Sequence, residues 1–401
     1  MRNLEKYKGV IPAFYACYDE EGNVSPEGVR ALTKYFVEKG VKGVYVNGSS
    51  GECIYQSVED RKIILENVMK AAEGKLTVIA HVACNNTKES QELAKHAESL
   101  GVDAIAAIPP IYFHLPEYAI AKYWNDISEA APNTDFVIYN IPQLAGVALT
   151  QSLFTEMRKN PRVIGVKNSS MPVQDIQMFK AAGGEDYVIF NGPDEQFMSG
   201  RVIGAEGAIG GTYGAMPELY LKLDEYVKAG EMEKAREIQY ACDAIIYKMC
   251  SAHGNMYAVI KEILRIRENL NIGGVRKPLP EIIPEDMKQI KKCASMIDEA
   301  IKRPGRFDYV IEIQRPSPEG CKAIFRIHTE KMPVDKHFNK DVFVDKYLVG
   351  SSGAEIAFVA SEAAYNSIRR TVNIKELFDE KCDFVISKEN ILIEEDFIKA
   401  A

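Results

Sequence analysis

Eight short apolar stretches recur along the chain, each rich in β-branched residues and followed by small or polar residues. Near-continuous apolar runs of this length are typical of strands buried on both faces, as in parallel sheets. Between them lie amphipathic stretches in which apolar residues recur at helical spacing and a glycine follows the end. The eight stretches are GVIPAFYACYD from Gly9, VKGVYVNG from Val41, LTVIAHVA from Leu76, VDAIAAIPP from Val102, TDFVIYNIP from Thr134, VIGVKNSS from Val163, YVIFNGPDE from Tyr187 and AEGAIGGTY from Ala205.

This alternation of strand and helix predicts an α/β protein with a (β/α)8 TIM barrel. A doubly wound open sheet is the alternative, but the first strand–helix turn lacks the GxGxxG pattern that many such sheets carry. Three more helical stretches follow the eighth strand, starting at Pro217, Asn255 and Pro284. We therefore expect a barrel with extra C-terminal helices that ends near Arg303.

The character of the sequence changes from RPGRFD onward. One strand-like run, YVIEI, is followed by four short, charged helical patterns without glycine-rich strand ends. This change predicts two domains, a barrel domain at 1–302 and a small, mainly helical domain at 303–401. No glycine- or serine-rich linker marks the boundary at 302/303.

Composition narrows the classes of function. The chain has 401 residues and a formal net charge of −8, which argues against nucleic-acid or anionic-membrane partners because both favour a basic face. No apolar run is long enough to span a bilayer, and no apolar leader follows Met1, so we expect a cytoplasmic protein. Eight cysteines without a CxxC pair and six histidines without HxxxH spacing indicate reduced thiols and no metal site.

A lysine ends the sixth apolar stretch, in VIGVKNSSM from Val163 to Met171. Burying an unpaired ammonium is costly unless the group is paired or loses its proton. Lys167 therefore either lies along the surface with its head in water, or stays in the fold as a useful neutral amine.

The ends of the strands indicate which chemistry a neutral amine would serve. In a (β/α)8 barrel, side chains at the C-terminal ends of the strands meet at one mouth. A desolvated Lys167 could attack a carbonyl and form a Schiff base, while Tyr139 on the neighbouring strand relays the proton. We expect carbon–carbon bond making or breaking next to a 2-keto acid. The residues at these strand ends are Ser49, Ser50, Tyr112, Tyr139, Lys167, Ser169, Asp194, Glu195, Gly210, Gly211 and Thr212.

The segment SSGE has two compatible interpretations. Its small hydroxyls and backbone N–H groups could hold a carboxylate. It also matches a capping box, in which Ser49 and Glu52 would cap a helix N-terminus.

Five motifs together resemble the N-acetylneuraminate lyase and dihydrodipicolinate synthase superfamily over about residues 3–300. The resemblance implies a pyruvate-dependent class I aldolase, usually a homotetramer, that uses no metal and no other cofactor. It further implies that Lys167 forms the Schiff base, Tyr139 is the acid/base, and Ser49 and Ser50 bind the pyruvate carboxylate. Tyr112 would match a tyrosine shared with a neighbouring subunit. The motifs are GSSGE from Gly48, YNIP from Tyr139, GVKNSS from Gly165, NGPDEQFMSG from Asn191 and GAIGGTY from Gly207.

Within the superfamily, the resemblance favours the sialic acid lyases. The synthases usually carry an arginine shortly after YNxP, where this chain has Gln143 and Leu144. The acids of NGPDE would bind sugar hydroxyls, whereas Gly211 stands where the lyases usually have a serine. We expect cleavage of N-acetylneuraminate or a related 2-keto-3-deoxy sugar acid, and an aldolase or synthase for another aldehyde is the alternative. The substrate-binding candidates are Gly48, Ser49, Ser50, Ser169, Gly192, Asp194, Glu195, Gly210 and Gly211.

Residues 303–401 resemble the end of an AAA ATPase module, from the arginine-finger segment through the helical lid. The similarity rests on RPGRFDYVIEI from Arg303 and GSSGAEIAFVASEAAYNSIRR from Gly350, within which Ser352 and Glu355 match a capping box. The resemblance implies that Arg303 and Arg306 would reach a neighbour's nucleotide and that Gly353 and Ala354 would lie near adenine. The chain has no GxxxxGK[ST] phosphate loop, so we expect no ATP hydrolysis. The resemblance leaves open a gene fusion, or a non-catalytic assembly protein that docks on a hexameric ATPase.

Overall fold

The computed structural model describes residues 4–302, 315–371 and 391–401. The chain divides into two compact units, Met1–Asp308 and Tyr309–Ala401. The predicted boundary at 302/303, the run YVIEI, Arg303 and Arg306 lie outside the described residues. The exact boundary therefore stays a prediction.

The first unit is a closed barrel of eight parallel strands, which confirms all eight predicted strands. The sheet order is β1-β8-β7-β6-β5-β4-β3-β2. A parallel bridge between Ala13 and Tyr45 joins the two end strands and closes the barrel. The strands are β1 Gly9–Pro12, β2 Gly43–Val46, β3 Thr77–His81, β4 Ala104–Ala107, β5 Asp135–Asn140, β6 Val163–Asn168, β7 Val188–Asn191 and β8 Gly207–Gly210.

Helices follow the strands and surround the sheet. Several of them follow a residue whose side chain accepts a hydrogen bond from the first turn, such as Ser25, Ser57 and Asn86. The helices of the first unit are α1 Pro26–Glu38, α2 Val58–Ala72, α3 Thr87–Ser99, α4 Glu117–Glu129, α5 Pro142–Ala145, α6 Gln151–Met157, α7 Gln174–Gly183, α8 Phe197–Val202, α9 Pro217–Ala229, α10 Met232–Cys250, α11 Met256–Glu268 and α12 Met287–Lys302.

The first helical stretch after β8 is two helices rather than one. Gly230 separates α9 from α10 with a φ of 77°, a left-handed conformation that glycine adopts readily and that ends α9. Helix α9 completes the eight strand–helix repeats. Helices α10, α11 and α12 are then three extra C-terminal helices, whereas the sequence predicts α9 and α10 as one stretch.

Apolar side chains fill two layers of the barrel unit. One cluster lies inside the barrel and includes Ile11, Val137, Ile164 and Phe190. A larger cluster packs the outer faces of the strands against the helices. Because both faces of every strand are covered, the strands read as continuous apolar runs in the sequence.

The second unit has its own small hydrophobic core, formed by side chains such as Phe325, Phe343 and Phe397. The capping box predicted at the start of its long helix is present, because Ser352 N donates to Glu355 and Glu355 N donates to Ser352 Oγ. Among the residues that the structure describes, no helix is long and apolar enough to cross a membrane. The helices described in this unit are α13 Pro318–Thr329, α14 Lys340–Tyr347, α15 Gly353–Thr371 and α16 Glu394–Ile398.

Helix α4 offers a direct test of the barrel packing. Its Ile127 and Trp124 are buried, and Trp124 is the single tryptophan of the chain. We expect Ile127→Ala to lower the free energy of unfolding by about 2–5 kcal/mol, because it leaves a cavity in the layer between strands and helices. Urea unfolding followed by tryptophan fluorescence measures the change. Glu129→Ala on the exposed face of α4 is the control, and equal losses for both variants would contradict the packing.

Candidate active site

A β-bulge in β6 decides which way its lysine points. Phe136 on β5 pairs with Val163, and the next residue, Val137, pairs with Gly165, so Ile164 is an extra residue on β6. Ile164 lies in the inner cluster and Val166 in the outer one. A bulge shifts the alternation of side chains by one position. Lys167 therefore points into the barrel.

The amine of Lys167 lies between two aromatic rings at the mouth of the barrel. Nζ is 3.9 Å from the ring centroid of Tyr139 and 4.1 Å from that of Tyr45. The residue is only 4 % exposed. Burial lowers the pKa of Lys167 to about 7, and the negative charge of Asp194 opposes this shift. A large fraction of the amine is thus neutral at physiological pH.

Tyr139 is the direct cross-strand partner of Lys167 in the β5–β6 register. Burial raises the pKa of its phenol to about 12, while hydrogen bonds with Ser49 and Ser169 act in the opposite direction. The phenol is therefore protonated and linked to two hydroxyls, an arrangement that suits proton relay.

Ser49 and Ser50 lie in a short 3₁₀ turn, Ser49–Gly51, directly after β2. The proposed capping box is wrong, because no side chain caps this turn and Glu52 adopts a left-handed φ of 58°. The carboxylate of Glu52 instead pairs with Lys261 on α11. The interaction that replaces the capping box is an ion pair between distant segments, which a local sequence pattern does not reveal.

Asp194 is buried at the end of β7 and faces the loop after β8. Its carboxylate accepts hydrogen bonds from the N–H groups of Gly211 and Thr212 and from the Thr212 hydroxyl. Burial raises the pKa of Asp194 to about 6, and the bonds from Thr212 limit the rise. A Cβ at Gly210 would lie 2.3 Å from the Asp194 carboxylate, so the loop needs glycine at this position.

A cavity of about 330 Å³ opens at the mouth above Lys167. Tyr112 does not line it; this residue is 86 % exposed, with a φ of 81°, beside Phe113. Gly48 and Gly210 support the walls without lining the cavity. The candidates that line it are Ser49, Ser50, Tyr139, Lys167, Ser169, Gly192, Asp194, Glu195, Gly211 and Thr212, together with Gln143 and Leu144.

Known proteins are similar to this chain over the barrel unit that carries the site. The Dihydrodipicolinate synthetase family matches residues 6–297. The chain belongs to this family. A curated relative, N-acetylneuraminate lyase of Mediterraneibacter gnavus, is 83% identical over 303 residues, which cover 76% of this chain and 96% of the relative. A second relative, N-acetylneuraminate lyase 2 of Escherichia coli, is 36% identical and is covered to 95%.

Solved structures of other proteins are similar to this family member. The wild-type sialic acid aldolase of Ruminococcus gnavus is 83% identical and superposes with a TM-score of 0.74, over 74% of this chain and 99% of that one. A Bacillus anthracis dihydrodipicolinate synthase is 20% identical with a TM-score of 0.67, and shares the fold.

Two tyrosines of this family member lie at the site but are not among the candidates predicted from the strand ends. Tyr45 lies within β2 and covers one side of the Lys167 amine. Tyr257 lies on α11, lines the cavity, and its hydroxyl is 3.3 Å from Ser50 Oγ. The alternation of inward positions along β2 is a signal that could have found Tyr45. No local signal identifies Tyr257, because its helix lies outside the strand–helix repeat.

The described part of this family member combines a neutral amine, a protonated phenol, a cluster of small hydroxyls and a buried acid. Among the described residues, no group of three or more His, Cys, Asp or Glu side chains could hold a metal ion. The set suits covalent capture of a carbonyl compound by Lys167, with proton transfer by a neighbouring group.

We expect Lys167→Met to change how stability depends on pH. Because the pKa of Lys167 is lowered to about 7 in the native state, the unfolded chain binds more protons between pH 7 and the ordinary lysine pKa. The wild type therefore gains stability from this group as pH rises, whereas the variant does not.

The stability advantage of Lys167→Met over the wild type should shrink by about 2 kcal/mol between pH 7 and pH 9. Denaturant unfolding at a series of pH values measures it. Val166→Ala on the same strand, which removes no titratable group, should show a pH-independent loss. A pH-independent difference for Lys167→Met would refute a desolvated amine.

Proposed function

We propose that this chain is an N-acetylneuraminate lyase, which cleaves its sugar acid to pyruvate and an acylated amino sugar. One observation carries the proposal: the chain is 83% identical to a lyase that it covers to 96%. The geometry supports it, because Lys167 supplies a buried amine whose pKa is lowered to about 7 at the mouth of the barrel.

The reaction begins with attack of the neutral Lys167 amine on the C2 carbonyl of the open-chain sugar acid. Loss of water gives an iminium. The Tyr139 phenol gives its proton to the departing water, and its phenolate then accepts the proton of the C4 hydroxyl. The C3–C4 bond breaks, and its electron pair moves into the iminium to form an enamine. The aldehyde leaves, the enamine takes a proton at C3, and water hydrolyses the imine to release pyruvate and the free amine.

The two halves of the substrate would contact different parts of the cavity. The carboxylate would bind the hydroxyls and N–H groups of the Ser49–Ser50 turn. The polyol would reach Asp194 and Glu195, where charge-assisted hydrogen bonds to carboxylates suit sugar hydroxyls. Gln143 and Leu144 line the same cavity and provide no positive charge for a second carboxylate, which favours a sugar over a dicarboxylic product.

We also propose a cytoplasmic homotetramer in which Tyr112 reaches the site of a neighbouring subunit. An exposed aromatic surface formed by Tyr112, Phe113 and Tyr118 supports this proposal, because contiguous apolar surface is typical of interfaces. The described cysteines are all free, which fits a reducing compartment.

For the second unit we propose a small helical addition similar to an AAA lid, serving as an assembly module without ATPase activity. Its support is the sequence resemblance together with the capped helix α15 and its own core. Gly353 and Ala354 begin this helix.

Capture of pyruvate tests the proposed chemistry. Incubation with pyruvate and cyanoborohydride should add a reduced pyruvyl group on Lys167, detected by intact-protein and peptide mass spectrometry. The capture rate should rise between pH 6 and pH 8 with a midpoint near the lowered pKa of about 7, because only the neutral amine attacks.

Lys167→Ala should abolish both the adduct and the release of pyruvate from N-acetylneuraminate, while the fold survives. Lys34→Ala, on the exposed face of α1, is the matched lysine control and should keep both. An adduct that persists in Lys167→Ala would overturn the assignment. Assay of a panel of 2-keto acids separates the lyase from an aldolase for another aldehyde.

Removal of the second unit tests whether cleavage needs it. We expect a chain that ends at Lys302 to keep kcat/KM within about threefold, because every proposed catalytic side chain, including Tyr112 of a neighbouring subunit, lies before this point. Pyruvate release by the shortened and the full-length chain measures the difference. A loss of tenfold or more, with the tryptophan unfolding transition unchanged, would assign the second unit a part in catalysis.

A further inference from the structure

The turn that holds Ser49 and Ser50 ends in a strained residue. Glu52 follows the turn with a φ of 58°, a left-handed conformation that side chains other than glycine seldom adopt. Such a conformation persists where surrounding contacts hold it in place. The contacts of Glu52 therefore help to fix the shape of the Ser49–Gly51 turn.

Those contacts come from segments far away in the sequence. Lys261 Nζ lies 2.9 Å from Glu52 Oε1, and the two side chains are 2 % and 0 % exposed. The other carboxylate oxygen accepts hydrogen bonds from the Tyr18 hydroxyl at 3.1 Å and from the N–H of Arg276 at 2.8 Å. Lys261 also donates to the carbonyl of Gly274. Both charges are paired and hydrogen-bonded, which a buried ion pair requires.

Helix α11 touches the turn at a second point. Tyr257 lies four residues before Lys261, and residues at this spacing share one face of a helix. Its hydroxyl contacts Ser50 Oγ at 3.3 Å. The same helix face thus meets the turn at the hydroxyl that faces the cavity and at the carboxylate that ends the turn.

We propose that Glu52 and Lys261 are positioning residues that hold the Ser49–Ser50 turn in the geometry that binds the carboxylate of the substrate. This inference rests on the proposed function. Neither side chain lines the cavity, so both act through the turn. Without the pair, the turn is free to relax from the left-handed conformation at Glu52. The hydroxyls and N–H groups then no longer point toward one carboxylate position.

The expected kinetic signature follows from the part of the substrate that is held. The carboxylate takes no part in bond breaking, so its contacts stabilise ground state and transition state alike. Loss of such contacts raises KM and leaves kcat nearly unchanged. A role restricted to folding would instead reduce the amount of active enzyme and leave KM as it is.

Glu52→Gln tests the proposal, since glutamine keeps the shape and removes the charge. We expect KM for N-acetylneuraminate and the half-saturating concentration of pyruvate in the cyanoborohydride assay to rise roughly tenfold to a hundredfold. We expect kcat to stay within about threefold. Preference for pyruvate over methyl pyruvate should fall, because the uncharged ester uses the turn far less.

A second variant guards against loss of the fold. Glu52→Gln combined with Lys261→Met removes both charges and leaves no unpaired charge inside. It should show the same rise in KM and the same loss of preference for pyruvate. The matched control is Asp224→Asn. It breaks the buried ion pair between Asp224 on α9 and Arg201 on α8, neither of which lines the cavity. This control should keep the wild-type KM.

Distinct outcomes separate the two proposals. Wild-type protein that forms no pyruvyl adduct overturns the proposed function. Wild-type protein that forms the adduct, with folded Glu52 variants that keep KM and the preference for pyruvate, overturns the positioning role alone. An equal rise in KM for Asp224→Asn also overturns it, because any broken buried pair would then have the same effect.

Discussion

The exclusion of water from one lysine amine is the constraint on which the site depends. In water this group would be an ammonium without nucleophilic character at neutral pH. It is buried between the rings of Tyr45 and Tyr139, and burial lowers the pKa of Lys167 to about 7. The nearby charge of Asp194 favours the ammonium, so the final value reflects a balance between burial and attraction.

The barrel creates this environment through an irregularity rather than through ideal geometry. The extra residue in β6 turns Lys167 inward, beside its cross-strand partner Tyr139. Gly165 makes the bulge possible, because a Cβ there would lie 1.9 Å from the carbonyl oxygen of Val188. The register of β6 and the small size of one residue therefore decide the chemistry at the mouth.

The sequence predicts the barrel well because parallel strands that are covered on both faces produce unbroken apolar runs. It also predicts most residues at the mouth, though not the exposed position of Tyr112, since all eight strands end at one rim and Lys167 stands out there as an ionisable group in an apolar stretch. Interactions between distant segments were not predictable in this way. The local pattern predicts a cap at Glu52, whereas its partner Lys261 lies 209 residues further along the chain. Tyr257 was missed for the same reason.

The position of α11 late in the chain has a consequence for biosynthesis. Eight strands and their helices are complete by the end of α9 at Ala229, so a nascent chain can close its barrel before α11 has emerged. At that stage Lys167, Tyr45 and Tyr139 have been synthesised, but Tyr257 and Lys261 have not. The side of the cavity that Tyr257 lines is therefore the last part of the mouth to be synthesised.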